Sequence, residues 1–226
     1  MNSLCKIRVI IFDFDGVLIE SNDEKTDAFK ELFSLYPEYE RAMLDYHHRW
    51  FSKSRMDKFR HFVYEMMARP GDENSVEDMA DKFSSLIVRR VITSPEVPGA
   101  SEFLTEFSQW IPLYISSVTP QDELRKIVRR RGFDPYFKAI YGYPPISKKE
   151  AIEAVLLKED ALPQEVMFIG DSVSDYHVAN EAGVRFTGRE SGLSFGEHNI
   201  HLYKDLFEIA DVIRLQIGVK HSETKG

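Results

Sequence analysis

The sequence predicts an α/β protein with a parallel β-sheet and an inserted block of helices. The run at residues 8–12 is short, almost wholly apolar and rich in β-branched side chains, which is typical of a strand buried on both faces. Residues 17–92 contain apolar side chains at helical spacing and no strand-like run. After residue 98, strand-like and helical segments alternate, which indicates right-handed crossovers between parallel strands.

The segment 17–92 is predicted to form about four helices. Its apolar residues recur three or four positions apart, as they do on one face of a helix. Pro37 and the Pro70–Gly71 pair interrupt the pattern, and such residues punctuate helices. The apolar sets that define the pattern are Phe29, Leu32, Phe33 and Tyr36, then Phe59, Phe62, Val63 and Met66.

The segment after residue 98, in which strand-like and helical runs alternate, supplies the other strands of the predicted sheet and the helices between them. Helices are predicted over residues 100–109, 120–131, 148–158 and 175–182, and strands over residues 113–115, 138–141, 165–169 and 184–186. The polar tail is predicted to be disordered. The predicted division is therefore a core of residues 1–16 and 93–217, a helical insertion of residues 17–92 and a tail of residues 218–226.

The amino-acid composition argues against several classes of binding partner. The chain has 226 residues and a formal net charge of -8, which argues against a nucleic-acid-binding protein because such a protein needs a basic face. A single cysteine excludes an intrachain disulfide and fits a reducing compartment. We see no signal peptide and no apolar run long enough for a bilayer. We therefore expect a cytoplasmic monomer or homodimer with no membrane or nucleic-acid partner.

Acidic and hydroxyl side chains follow three of the predicted strands. In open α/β sheets, ligands bind beyond the carboxyl ends of the strands. The first strand is followed by Asp13 and Asp15, the second by Ser116 and Ser117, and the one at 165–169 by Asp171, Ser172 and Asp175. These groups are therefore predicted to share one edge of the sheet.

Such a cluster suggests phosphoryl-transfer chemistry. Carboxylates that meet repel each other unless a cation joins them, and hard oxygen ligands favour Mg²⁺. The candidate ligands are Asp13, Asp171 and the backbone carbonyl of Asp15. Asp13 is the candidate nucleophile, since aspartyl-phosphate chemistry is known, and Asp15 the candidate acid and base. Ser116 and Lys148 would hold the phosphate oxygens.

Each motif also has a simpler interpretation. Asp-x-Asp-Gly is found in turns and calcium loops, and Ser116 suits a turn or a helix N-cap. Lys148 alone would be a surface lysine, and Asp175 suits the cap of its helix. The functional interpretation depends on the combination of motifs at the ends of separate strands.

Taken together, these motifs resemble those of the haloacid dehalogenase-like phosphohydrolase superfamily. The resemblance extends over about residues 8–211. It pairs the first motif with Asp13-Phe14-Asp15-Gly16-Val17, the second with Ser116, the third with Lys148, and the fourth with Gly170-Asp171-Ser172 and Asp175. Ser117 and Lys149 are the neighbours that could fill the second and third motifs instead.

The resemblance implies a Rossmann-like core and a mobile helical cap inserted after the first motif. It points to the phosphoglycolate phosphatase and β-phosphoglucomutase branch, and to a Mg²⁺-dependent phosphatase of a small phosphorylated metabolite. Ser172 and Asp175 would support the groups that contact metal and phosphate. Dehalogenases and phosphonate-cleaving members lack an aspartate at the position of Asp15, so dehalogenation is set aside.

Two other functions stay open. A sugar-phosphate mutase would use the same residues, with substrate in place of water as the phosphoryl acceptor. A metal-binding or phosphorylatable regulatory module would not turn over. In the insertion, Arg55 and Lys58 lie three positions apart and would share a helix face. They would either bind a second anionic group of the substrate or form a solvated helix face. The histidine that many relatives have near Lys25 is absent.

Overall fold

A six-stranded parallel sheet forms the centre of the computed structural model, which describes residues 6–217. The predicted tail at 218–226 lies outside the described residues. The strands are β1 (Val9–Phe12), β2 (Leu113–Ser117), β3 (Phe137–Gly142), β4 (Val166–Gly170), β5 (Arg185–Arg189) and β6 (Leu202–Tyr203).

The described part of the chain contains nine α-helices. The insertion contributes α1 (Asn22–Phe33), α2 (Glu40–Arg49), α3 (Arg55–Arg60) and α4 (Glu73–Thr93), and a π-helical turn (His61–Met66) continues α3. The later helices are α5 (Ala100–Phe107), α6 (Gln121–Arg130), α7 (Lys148–Lys158), α8 (Val173–Glu181) and α9 (Leu206–Ile217).

The strand order is β3-β2-β1-β4-β5-β6, and every pair is parallel. The chain builds one half of the sheet outwards from β1 through β2 and β3, then returns to the other side of β1 with β4. This is the order of a doubly wound Rossmann fold, and the connections diverge between β1 and β4. The crevice at that point, beyond the carboxyl ends of β1 and β4, is the place where such folds bind ligands.

Both faces of the sheet are covered, because successive side chains of β1 point to opposite sides. Ile10 and Phe12 belong to an apolar cluster that includes residues of α5, α6 and α9, whereas Val9 and Ile11 pack with residues of α7 and α8. All four side chains are buried. A strand buried on both faces explains why this run is almost wholly apolar.

The inserted helices pack through aromatic side chains. The rings of Phe29 and Phe59 lie 5.7 Å apart, and those of Phe33 and Phe62 lie 4.9 Å apart. These residues are among the apolar sets that predicted the helices, and all four are buried. The face that the periodicity identified is therefore the face on which α1 meets α3 and the π-helical turn that continues it.

The α/β fold, the parallel sheet and the inserted helices are confirmed. Each strand and helix predicted after residue 98 is present, within a few residues of its predicted ends. The strand β6 and the helix α9 were not predicted. The division of the chain into domains at residues 17 and 92 stays a prediction. Within residues 6–217, no helix is both long enough and apolar enough to cross a membrane.

Candidate active site

The first and fourth motifs meet at the centre of the sheet. Phe12 pairs with Ile169 in the register of β1 and β4, and the backbone N–H of Asp13 donates to the carbonyl oxygen of Ile169 at 2.8 Å. Asp13 therefore lies level with Gly170, one residue before Asp171 on the neighbouring strand. The prediction that Asp13 and Asp171 share one edge of the sheet is confirmed.

Three buried carboxylates converge there. One oxygen from each of Asp13, Asp171 and Asp175 lies within 4.8 Å of the others. Burial raises the pKa of Asp13 to about 8; Lys148 opposes this rise, and Asp175 and Asp171 add to it. Burial, together with the charge of Asp175, raises the pKa of Asp171 to about 6. Hard oxygen donors with excess negative charge fit a divalent cation such as Mg²⁺.

Lys148 is the cation of this cluster. Its Nζ lies 2.9 Å from Asp13 Oδ1 and 2.6 Å from Asp175 Oδ1, and its side chain is only 9% exposed. Burial would lower the pKa of the ammonium, but these two carboxylates raise it above its ordinary value. The interpretation of Lys148 as a surface lysine is therefore wrong. Ser147 and Glu150 form a capping box that fixes the start of α7 at Lys148.

Asp175 has two roles, since it caps α8 and also contacts Lys148. Its Oδ2 accepts from the backbone N–H and from the hydroxyl of Ser172, and the Ser172 hydroxyl in turn accepts from the Asp175 N–H. Its other oxygen, Oδ1, accepts from Lys148. A Cβ on Gly170 would lie 2.5 Å from the Cβ of Asp175. The helix cap thus holds this carboxylate rigidly beside the lysine.

The side chain of Asp15 contacts residues outside this cluster of carboxylates. Its Oδ1 accepts from Ser21 Oγ at 2.6 Å, and its Oδ2 accepts from Thr119 Oγ1 at 3.0 Å and lies 2.6 Å from Lys25 Nζ. Burial would raise the pKa of Asp15, but the Lys25 ammonium and the three hydrogen bonds lower it below its ordinary value. Asp15 is therefore ionised, and its side chain lies outside the cluster of three carboxylates.

The loop after β1 passes very close to Asp171. Gly16 has φ +77°, and a Cβ there would lie 2.0 Å from Asp171 Oδ2, so only glycine fits without displacing that carboxylate. The same oxygen accepts from Asn22 Nδ2 at 2.9 Å. Behind the loop, buried Arg189 donates to the Gly16 carbonyl at 3.1 Å and pairs with Glu20.

The two serines lie at the end of β2, beside β1. Since Ile115 pairs with Phe12, Ser116 follows at the level of Asp13, and both serines are buried. The hydroxyl of Ser117 accepts from the backbone N–H of Thr119 at 3.1 Å. Ser117 therefore shapes the loop that carries Thr119, but its hydroxyl still has a proton to donate, so Ser116 and Ser117 both stay candidate phosphate ligands.

Arg55 and Lys58 line a cavity beside Asp15 instead of forming a solvated face. Lys58 is 3% exposed, and the side chain of Arg55 is 9% exposed. Arg55 donates to Ser84 and to Glu123 of α6, each at 2.9 Å. The interpretation as a solvated helix face is wrong for both residues, and a contact with substrate stays a prediction.

Several residues at the site were missed because their role depends on which segments meet. They have no motif of their own, and only Thr119 lies within a few residues of a strand end that carries one. They are Ser21, Asn22, Lys25, Thr119 and Arg189.

The buried His47 makes folding sensitive to acid. Burial, with the charge of Lys58, lowers the pKa of His47 from 6.5 to about 2. Below pH 6.5 the unfolded chain binds a proton that the folded chain does not. As the pH decreases below 6.5, the free energy of unfolding should therefore fall, and His47 should contribute about 1.4 kcal/mol per pH unit to this fall.

Urea unfolding at pH 7.5, 6.5 and 5.5 measures this slope. We expect His47→Gln, which cannot titrate, to have a shallower slope than the original protein. The exposed neighbour His48, changed to Gln, is the matched control and should keep the slope. Equal slopes in all three proteins would contradict a neutral, buried His47.

Comparison with known proteins agrees with this geometry. A phosphorylated carbohydrates phosphatase from Thermotoga maritima is 24% identical over 182 residues, which are 79% of this chain and 82% of that protein. A phosphoglycolate phosphatase from Pseudomonas putida is 25% identical over 199 residues, which are 84% of this chain and 71% of that protein.

The fold has clear structural relatives. The crystal structure of a Bacteroides fragilis protein assigned to the haloacid dehalogenase-like hydrolases matches with a TM-score of 0.73 at 23% identity, covering 90% of this chain and 100% of that chain. The family model described as haloacid dehalogenase-like hydrolase matches residues 10–188. The matched residues include both strand ends that carry the carboxylate cluster, and the chain belongs to the haloacid dehalogenase-like hydrolase family.

Proposed function

We propose that the protein is a Mg²⁺-dependent phosphatase that hydrolyses a small phosphorylated metabolite through an aspartyl-phosphate at Asp13. The observation that carries the proposal is the cluster of buried carboxylates with Lys148 between two of them. The names of the curated relatives, a phosphorylated carbohydrates phosphatase and a phosphoglycolate phosphatase, support the same reaction class.

Asp13 is the proposed nucleophile. Its carboxylate oxygen bonds to phosphorus, and the bond between phosphorus and the ester oxygen breaks. The Lys148 ammonium lies beside Asp13 and holds the phosphoryl oxygens together with the Ser116 hydroxyl. Asp13, Asp171 and the backbone carbonyl of Asp15 would hold Mg²⁺. When bound, the ion would screen the charge of the carboxylate from that of the phosphate.

Asp15 is the proposed acid and base. In the first step it gives a proton to the leaving ester oxygen, and in the second it takes a proton from the water that attacks the aspartyl-phosphate. The ionised form beside Lys25 suits the second step. If Lys25 pairs with the substrate instead, Asp15 loses the ammonium that lowers its pKa, which favours proton uptake before the first step.

The inserted helices are proposed to act as a cap that shields this chemistry from bulk water. Two observations support the proposal. Lys25 of α1 contacts Asp15, and Arg55 of α3 pairs with Glu123 of α6. Both contacts join the insertion to the sheet domain on the side where the carboxylates lie.

Multiple turnovers of p-nitrophenyl phosphate with Mg²⁺, stopped by a chelator, are the expected result. A panel of small phosphate esters then identifies the preferred class, with inorganic phosphate as the product. Isomer formation without phosphate release would indicate a mutase. Absence of turnover on every ester of a broad panel would contradict the enzymatic proposal.

Replacing Asp171 tests the cation site. We expect Asp171→Asn to raise the Mg²⁺ concentration for half-maximal activity by more than about tenfold, because an amide oxygen is a weaker ligand than a carboxylate. The exposed Asp81, changed to Asn, is the matched control. The measurement is a Mg²⁺ titration of p-nitrophenyl phosphate hydrolysis, and an unchanged midpoint would remove Asp171 from the ligand set.

A further inference from the structure

A small cavity lies between the inserted helices and the loop after β2. Its volume is about 40 Å³, and its walls include Lys25 and Thr119. Both of these side chains contact Oδ2 of Asp15. A leaving group attached to the oxygen that Asp15 protonates would therefore extend into this cavity.

The walls of the cavity are strongly basic. Among the residues 6–217, its lining includes the cations Lys25, Lys53, Arg55 and Lys58 and no carboxylate. Two of these cations have acidic partners elsewhere, since Lys25 pairs with Asp15 and Arg55 pairs with Glu123. Lys53 is exposed and lies over the ring of Trp50.

Lys58 differs from the other three. It is buried, and within the described chain no carboxylate lies at ion-pair distance from its Nζ. The ammonium donates to the carbonyl of Phe51 at 2.8 Å, and its second contact is Nδ1 of His47 at 3.1 Å. Burying an ammonium without a counter-ion is unfavourable, and burial with the charge of Lys25 lowers the pKa of Lys58 to about 7.

The hydrogen bonds of His47 show how Lys58 is oriented. The hydroxyl of Thr26 donates its one proton to the carbonyl of Asn22 at 3.2 Å, so Nε2 of His47 must donate to that hydroxyl, also at 3.2 Å. The lone pair of Nδ1 is then free to accept from Lys58. The imidazole is also stacked on Phe29, with ring centroids 4.4 Å apart.

We propose that Lys58, oriented by His47, binds an anionic group on the leaving-group side of the substrate. The proposal rests on the phosphatase function proposed above and adds the specificity of that site. An anion would supply the counter-ion that the buried ammonium lacks. The group is compact, because at about 10–15 Å³ per water molecule the cavity holds about three water-sized groups.

Three esters of matched length test the proposal. In 2-hydroxyethyl phosphate the leaving group is uncharged, in phosphoglycolate it has a carboxylate, and in ethylene glycol bisphosphate it has a second phosphate. We expect kcat/KM for at least one anionic ester to exceed that for the uncharged ester by more than about tenfold. The two anionic esters then tell which anion the cavity accepts.

The variant Lys58→Met should lower this ratio of kcat/KM values by about 10- to 100-fold, mainly through KM. Lys82→Met removes one charge from an exposed position of α4 and should keep the ratio. A ratio within threefold of the original in folded Lys58→Met overturns the proposal. The proposal is also overturned if the original protein hydrolyses the uncharged ester as efficiently as both anionic esters. This comparison does not depend on whether Lys58→Met folds.

His47 is tested as a positioning residue. Gln at this position keeps an acceptor and a donor, whereas Leu has neither, so His47→Gln should keep more of the anionic preference than His47→Leu. Equal ratios in both variants and in the original protein would remove His47 from the proposal. If the original protein hydrolyses no phosphate ester at all, the proposed function fails first, and this inference fails with it.

Discussion

Asp13→Asn is expected to lower kcat for p-nitrophenyl phosphate by more than about a thousandfold. The neutral amide has almost the shape of the carboxylate, so the end of β1 should keep its backbone hydrogen bond to Ile169. The amide oxygen is a poor nucleophile, and it loses the ion pair with Lys148. The loss should therefore be in the chemical step, with the fold retained.

The control for this prediction is Asp45→Asn, at an exposed position of α2. Both variants are purified in parallel, their thermal unfolding is compared, and initial rates are measured at saturating Mg²⁺. A phosphorylated form at residue 13, trapped by rapid acid quench, should be present in the original protein and in Asp45→Asn only. Near-normal activity in a pure Asp13→Asn sample would exclude covalent catalysis at this residue.

Lys148→Met is expected to affect both catalysis and stability. It should lower kcat by more than about a hundredfold, since the ammonium beside Asp13 would no longer stabilise the phosphoryl oxygens. Without Mg²⁺, it should also reduce the free energy of unfolding by about 3–5 kcal/mol, because Asp13 and Asp175 would remain buried without their cation. Urea unfolding with and without Mg²⁺ measures the second effect.

The neighbouring Lys149 is the matched control, because its side chain is 52% exposed and only its distant 3.8 Å contact with Glu181 would be lost. We expect Lys149→Met to keep both activity and stability. If Lys149→Met were the inactive variant and Lys148→Met the active one, the assignment of the third motif would be wrong.

The sequence predicted the sheet well, because a doubly covered parallel strand leaves a strong local signal. The run that became β1 is apolar at every position, and β2, β3 and β4 each lie between two recognisable helices. The two-residue strand β6 is too short for any periodicity. By contrast, α9 has buried Leu206, Ile209, Ala210 and Ile213 at helical spacing, a pattern that is typical of a helix.

The site residues that directly follow strands could be predicted from the sequence. Those that reach the site from other segments of the chain could not. Asp13 and Asp171 stand at strand ends, and Ser172 with Asp175 has the spacing of a capping box. Lys25 and Thr119 have no comparable signal, because each reaches Asp15 from a different part of the chain. The burial of Lys58 depends in the same way on how α2 and α3 pack.

The start of α1 links the two halves of the catalytic machinery mechanically. Asn22 begins this helix and contacts Asp171, and Lys25 on its first turn contacts Asp15. Any tilt of the helix away from the sheet would release both carboxylates at once. The proton affinity of Asp15 and the position of the Asp171 carboxylate would then change together.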